Sequence, residues 1–370
     1  MKRITERING GYNAGLEGVT VSVVDKSHHF RSLSNQTYNI VVIQHIVQLV
    51  LCIQIVAKLS ASSFHLYRTN MQIIEINPNI TAFYFGAETN PENLDTTAPG
   101  KDDWVDGACH TLGVACYAIH NADSCIVFDT LCSPDQANEI KVLLEQKLGF
   151  KKFIVVNSHW HLHHIGGNEL YKDSCIVGTR KTRAQLLSQK AEIESGTSSW
   201  GPPAIECVRP PDIVFDDNLS IFLDDLEVLL ISINIHSQDS LCAYIPKYKI
   251  LLASDMVEDT IPFVTDPGDI PDHLRNYDQL RGMDIEKMLP NHCRLKPLQQ
   301  GGYAADLIES SAYYLKNLYE QVKADLDAQI PDLKTFMREY LKNGTVTYWH
   351  PYEHIHENNI EKVKKHFRKM

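Results

Sequence analysis

Four histidines within six positions, directly after an apolar run, are the feature that most constrains how this chain folds. Residues 153–168 read F-I-V-V-N-S-H-W-H-L-H-H-I-G-G-N. The apolar, mostly β-branched run at 153–156 is typical of a short buried strand. It is followed by His159, His161, His163 and His164. Gly166 and Gly167 then allow a tight turn, and Asn168 can cap a following helix.

This histidine cluster predicts a metal site. Side chains alternate along a strand, so His159 and His161 would point the same way as the strand ends. His163 and His164 would reach the same place from the turn. Imidazole is the commonest side-chain ligand for zinc and similar ions. The alternative is a solvated, histidine-rich loop.

Composition places the chain among soluble globular proteins. Its 370 residues suffice for one large domain or two smaller ones. The net charge of −11 argues against nucleic acid as a partner, because binding phosphates needs clustered Lys and Arg. Nine cysteines without a C-x-x-C pair fit a reducing compartment. We therefore expect a cytoplasmic protein with a small-molecule substrate.

Residues 1–70 differ from the rest and form a predicted N-terminal extension. An apolar run at 40–57 has no formal charge and just reaches the length of a membrane helix. It could anchor the chain in a membrane, pack on the domain or belong to a poorly ordered extension. A cleaner pattern begins at Met71, which we consider as an alternative functional start.

From residue 71 onward the pattern alternates between strands and helices. A β-β-α-β order precedes and includes the histidine stretch, which indicates a sheet covered by helices. The predicted early elements are two strands within 71–86, strands at 113–119 and 124–129, and a helix at 133–148. The predicted later strands are 174–178, 219–223, 228–234, 241–245 and 250–253, and the later helices are 179–194, 303–327, 331–341 and 352–367.

Three further ligand-type residues follow later apolar segments. His236 comes after the strand predicted at 228–234, and Asp255 after the strand at 250–253. His292 lies in L-P-N-H. Because strand ends meet at one edge of a sheet, these residues could join the histidine cluster.

At this point the chain resembles the metallo-β-lactamase superfamily, which carries H-x-H-x-D-H at a strand end and further His, Asp and His ligands in the order seen here. The resemblance covers roughly residues 71–325. It implies an α/β fold, a four-layer αββα sandwich with an N-terminal extension and C-terminal helices. The implied organisation is an extension at 1–70, the superfamily domain at 71–325 and a helical segment at 326–370.

The resemblance also assigns roles to the ligand residues. The first metal site would use His159, His161 and His236. The second would use His164 and His292, with Asp255 bridging both ions and Asp129 supporting the ligands. His163 is a further candidate ligand for the second metal. His163 stands where the family has Asp, and Ile235 and Asn291 replace glycines that usually precede metal histidines. A neutral imidazole offsets less charge than a carboxylate, so we expect a tightly held first metal and a weaker or absent second one.

The implied function is that of a metal-dependent hydrolase in which a metal-bound hydroxide attacks a small ester, lactone, thioester or amide. Zinc is the expected metal, as one or two ions, with iron as the alternative. Asp255 and His163 are the expected catalytic residues. The alternative hypotheses are an iron-dependent oxygenase on the same fold and a catalytically weakened metal-binding or sensing protein. Specificity would lie in loops such as 88–111, 196–204 and 257–277.

Overall fold

A computed structural model describes residues 71–86, 105, 111–131 and 134–370. The extension at 1–70, including the apolar run at 40–57, lies outside these residues, as does most of the loop at 88–111. No helix within the described ranges is long and apolar enough to cross a membrane. The predictions about the extension and its membrane contact therefore stay predictions.

The strands form a 7-stranded sheet and a 5-stranded sheet. The first contains β1 (Gln72–Asn77), β2 (Ile80–Phe85), β3 (Val114–Asn121), β4 (Ser124–Phe128), β5 (Lys152–Val156), β6 (Cys175–Thr179) and β7 (Ile213–Phe215). The second contains β8 (Asn218–Leu223), β9 (Leu226–Ser232), β10 (Leu241–Ile245), β11 (Ile250–Ser254) and β12 (Lys287–Pro290).

Strand direction brings several strand ends to one edge of each sheet. The first sheet runs in sequence order, antiparallel from β1 to β4 and parallel from β4 to β7. The second has the order β12-β11-β10-β9-β8, with β11 and β12 parallel and the other pairs antiparallel. Consequently β4 and β5 end at the same edge of the first sheet, and β9, β11 and β12 end at the same edge of the second.

Helices connect and cover the strands. They are α1 (Pro134–Val142), α2 (Leu162–Ile165), α3 (Arg180–Ser195), α4 (Ile270–Arg281), α5 (Leu295–Gln299), α6 (Leu307–Ala324), α7 (Leu333–Phe336), α8 (Arg338–Asn343) and α9 (Tyr352–Lys369). A π-helical turn at Leu143–Lys147 extends α1. Thr179 caps α3 by accepting a hydrogen bond from the Thr182 amide.

Alternation along the strands separates the core into layers. In β3, Ala115, Tyr117 and Ile119 join the cluster that contains Val228 and Leu230 of the second sheet. The alternate residues Val114, Cys116 and Ala118 join a second cluster with helix residues such as Ile140 of α1 and Leu186 of α3.

Helices also cover the outer face of the second sheet. Tyr277, Leu315 and Val363 pack α4, α6 and α9 onto the core. The predicted four-layer αββα sandwich is thereby confirmed.

The two sheets are joined beside the last candidate ligand by a buried hydrogen bond. The Tyr117 hydroxyl on β3 donates to the Pro290 carbonyl at the end of β12, at 2.6 Å. Tyr117→Phe leaves that buried carbonyl without this donor, so we expect a loss of about 1–3 kcal/mol in the free energy of unfolding. Urea denaturation measures it.

Tyr244→Phe is the matched control. The Tyr244 hydroxyl also donates to a backbone carbonyl, that of Asp284 at 2.7 Å, but near solvent. Its removal should change the free energy of unfolding by less than about 0.5 kcal/mol. An equal effect of the two substitutions would contradict the role given to the inter-sheet bond.

Candidate metal centre

All seven residues predicted as ligands lie at the edge where strand ends of both sheets meet. His159, His161, His163 and His164 follow β5, His236 follows β9, Asp255 follows β11 and His292 follows β12. Each residue is almost fully buried, with His236 the most exposed at 5%.

The first group consists of His159, His161, His236 and Asp255. One ligand atom from each lies within 4.8 Å of the others. The His236 Nε2 atom is 3.1 Å from His161 Nδ1. The Nε2 atoms of His159 and His236 are each 3.7 Å from Asp255 Oδ2. This group matches the first metal site that the resemblance implies, with Asp255 added.

The second group shares the same carboxylate. The Nε2 atoms of His163 and His164 are each 3.1 Å from Asp255 Oδ2. His292 lies beside them, with its Nε2 atom 3.3 Å from His163 Nε2 and 3.8 Å from Asp255 Oδ2. Asp255 therefore stands between two sets of imidazoles, as a bridging ligand would.

These residues fit a metal ion. Ligands about 2.0–2.1 Å from a tetrahedral zinc ion lie about 3.3–3.4 Å from one another, close to the spacings in both groups. The buried His159 Nε2 and Asp255 Oδ1 atoms make no hydrogen bond within the described residues. Buried polar atoms normally have a partner, and an ion between the two groups would supply one.

Asp129 and two serines hold the strand ends together behind the ligands. Asp129 Oδ2 accepts from His164 Nδ1 at 2.8 Å, and the amide and hydroxyl of Ser158 donate to the same carboxylate at 2.8 Å each. The Ser254 hydroxyl, from β11, donates to Ser158 Oγ at 2.7 Å. This network ties β4, β5 and β11 together and fixes the ring of His164, as expected of Asp129.

The backbone is strained at the same place. Asp129, His236 and Ser254 adopt the left-handed region, with φ of 64°, 71° and 50°. This conformation costs a non-glycine residue roughly 1–3 kcal/mol and tends to occur at functional sites. His236 adopts this conformation even though the residue before it is the buried Ile235, where the family usually has glycine.

Burial leaves most of the imidazoles uncharged. It lowers the pKa of His163 and His236 to about 3 and depresses the pKa of His159, His161 and His292. For His164 burial also acts downward, but the carboxylates of Asp255 and Asp129 outweigh it and raise the pKa to about 10. Burial would raise the pKa of Asp255, yet His164 and His292 hold it well below its usual range. Neutral imidazoles with an ionised carboxylate are the protonation states that bind metal.

Of three local predictions about the histidine stretch, the turn is confirmed and the other two are wrong. β5 ends at Val156, so strand alternation does not align His159 with His161. The turn at Gly166 and Gly167 is present. Gly167 adopts a negative φ there, and glycine is needed for space, because a Cβ would lie 2.1 Å from Ala137 Cβ of α1. Asn168 is no helix cap; its buried amide pairs with Asn157 at 2.9 Å and 3.1 Å.

The histidines near the C-terminus do not join the centre. His356 is buried, with Nδ1 2.9 Å from the Tyr314 hydroxyl and Nε2 3.0 Å from the Pro331 carbonyl. His354 is exposed and contacts Asn358.

Sequence reasoning missed two kinds of residue at the centre. Trp200 packs over the ligands, with its ring 4.8 Å from His161 and 6.1 Å from His163 between centroids. Glu258 is buried, with Oε1 4.0 Å from His236 Nδ1. Both residues lie in loops that the sequence predicts to set specificity, 196–204 and 257–277, but neither was singled out within them.

Comparison with known proteins agrees with this architecture. The family model described as "Metallo-beta-lactamase superfamily" matches residues 110–292. The solved structure of VMB-1 has the same fold, with a TM-score of 0.50 and 14% identity over 67% of this chain and 98% of that one. A metallo-beta-lactamase from Pontibacter korlensis gives a TM-score of 0.49 at 14% identity, covering 67% of this chain and 99% of its own.

The neutral imidazoles predict an acid-sensitive metal-free protein. In the unfolded chain these histidines take up protons below about pH 6.5, whereas His163 in the fold stays neutral down to about pH 3. The unfolded state then binds more protons. The free energy of unfolding therefore decreases as the pH is lowered, by about 1.4 kcal/mol per pH unit for each such histidine. Protonating Asp255 at still lower pH acts in the same direction, because its pKa is depressed in the fold.

Urea denaturation of chelator-treated protein across this pH range measures the slope. His163→Gln should reduce it by about one histidine's share. His354→Gln, at an exposed position, should leave the slope as in wild type. A slope unaffected by His163→Gln would contradict the assignment.

Proposed function

Because residues 110–292 belong to the metallo-β-lactamase superfamily, we propose that this chain is a metal-dependent hydrolase acting on a small ester, lactone, thioester or amide. The observation that carries the proposal is the convergence of six buried histidines on Asp255 at the shared edge of the two sheets. Zinc is the proposed ion, because imidazole nitrogens with a carboxylate oxygen suit it. Iron is the alternative, since such a donor set also suits iron.

Each residue of the centre has a distinct task in this proposal. His159, His161 and His236 would hold the first ion with Asp255. When bound, such an ion lowers the pKa of a coordinated water and stabilises the oxyanion that develops during attack on a carbonyl. His163 is uncharged at neutral pH, and its buried Nδ1 atom makes no hydrogen bond within the described residues. It can therefore accept a hydrogen bond beside Asp255, whereas its pKa of about 3 makes it a poor proton acceptor at neutral pH.

The second ion should bind more weakly than the first. His163, His164 and His292 contribute no negative charge, so two dications would share the charge of Asp255. His164 also carries a proton, because Asp129 and Asp255 raise its pKa to about 10. An ion must displace that proton before it binds His164.

Aromatic side chains at the rim favour a small substrate with an apolar group. Trp160 and Trp200 pack against each other at 6.2 Å and flank His161, while the ring of Phe263 lies 6.4 Å from His236. All three are half-buried and can contact an apolar group near the ion. Together with the net charge of −11, this rim favours a small molecule over nucleic acid.

Metal analysis with a substrate panel tests the proposal. Protein purified without chelator should contain about one equivalent of zinc and hydrolyse some of the esters, lactones, thioesters or amides. Removing the metal should abolish hydrolysis, and adding zinc should restore it. Less than about half an equivalent of any transition metal would contradict the metal-based function. Iron together with oxygen consumption would favour the oxygenase.

His163→Asp tests the account of the second ion. The added carboxylate offsets charge between the ions, so the zinc content should rise from about one toward two equivalents and the hydrolytic rate should increase. His354→Asp introduces the same residue at an exposed position and should change neither quantity. An unchanged zinc content in His163→Asp would contradict the role given to His163.

A further inference from the structure

We propose that Glu258 is the positioning residue for His236, and that helix α9 holds Glu258 in place. The C-terminal segment, which lies beyond the matched residues 110–292, then contributes to the metal centre by positioning one of its ligands. This inference rests on the proposed function, because it concerns how a ligand is presented to an ion.

One of the two ring nitrogens of His236 has no hydrogen-bond partner within the described residues. Its Nε2 atom faces His161 and Asp255, as a ligand atom would. Its Nδ1 atom is buried and makes no hydrogen bond within the described residues. Histidines that bind metal almost always donate their other ring N–H to a carboxylate, a carbonyl or water. The His164–Asp129 pair follows this rule at 2.8 Å.

The carboxyl group of Glu258 faces the Nδ1 atom. The side chain is 1% exposed, and its Oε1 atom lies 4.0 Å from His236 Nδ1. That separation is about 1 Å longer than a hydrogen bond. A shift of about 1 Å in either side chain would bring the Nδ1 N–H and Oε1 into hydrogen-bonding range.

The neighbouring carboxylate is already occupied by other donors. Asp259 Oδ2 accepts from the Tyr303 hydroxyl at 2.9 Å, and Oδ1 accepts from the Thr347 amide at 2.6 Å. Glu258 Oε1 accepts from the Phe263 amide at 2.9 Å. The same oxygen is the one that faces His236 Nδ1. The two adjacent acids therefore have different tasks.

Helix α9 fixes the segment that carries Glu258. The Tyr352 hydroxyl donates to Glu258 Oε2 at 3.2 Å. Asn359 accepts from the Val264 amide and donates to the Pro262 carbonyl, both at 2.9 Å. Because Tyr352 and Asn359 are seven positions apart, two helical turns, they share one face of α9. That face holds both ends of the segment from Glu258 to Val264.

Zinc affinity of the full-length protein, measured by competition with a chromophoric chelator, tests the inference. Glu258→Ala should weaken zinc binding by about 10–100-fold. Glu258→Gln keeps an oxygen acceptor for the Nδ1 N–H and should recover part of that loss. Tyr352→Phe frees one Glu258 oxygen and should weaken binding severalfold. Tyr348→Phe removes a comparable hydroxyl, bonded to Glu353 at 3.1 Å, and should have no effect.

A spectroscopic measurement separates positioning from simple loss of stability. The visible absorption of the cobalt(II)-substituted protein reports the geometry of the bound ion. It should change in Glu258→Ala and return toward wild type in Glu258→Gln. A structural role alone would lower the free energy of unfolding and leave this spectrum unchanged.

The outcomes distinguish this inference from the proposed function. Wild-type protein that binds no zinc overturns both. Wild type that binds zinc, with Glu258 variants within about twofold of its affinity and with the same cobalt spectrum, overturns the role of Glu258 alone. Should Glu258→Ala fail to fold, Glu258→Gln and Tyr352→Phe decide by the same criteria.

Discussion

The electrostatic cost of burying imidazoles controls this structure. Six histidines occupy one small volume, and a water-free site does not tolerate six positive charges. Burial keeps five of them neutral, and His164 carries a proton because Asp129 and Asp255 flank it. The cluster thus holds the ionised Asp255 carboxylate and one imidazolium. A bound dication would take the place of that proton, and Asp255 would offset its charge.

The scaffold presents this cluster at a single edge. β4 and β5 end together in one sheet, and β9, β11 and β12 end together in the other. Hydrogen bonds through Asp129, Ser158 and Ser254 join these ends, and left-handed backbone at Asp129 and His236 turns the chain toward the centre. Sheet packing therefore maintains backbone conformations that would be unfavourable in isolated peptides.

Much of the centre was predictable because its ligands follow apolar runs in chain order. His236 and Asp255 each come after a strand that periodicity identifies, whereas the strand before His292, β12, was not predicted from the sequence. Local conformation was less predictable. Gly167 has a negative φ and leaves room for Ala137, and His356 is buried between Tyr314 and Pro331. Packing between distant segments decides both, and neighbouring residues carry no sign of it.

By itself the sequence determined most of the strands and a sheet covered by helices, because hydrophobic periodicity is a local property. Its resemblance to a known family then implied the layered αββα fold and the seven residues that meet at the centre. Only the tertiary structure decided which ring nitrogens face each other and which histidine is charged, since both depend on distances between strand ends. It also brought α9 to the loop after Asp255, where Tyr352 contacts Glu258. No local pattern could reveal that contact, because 94 positions of sequence separate the two residues.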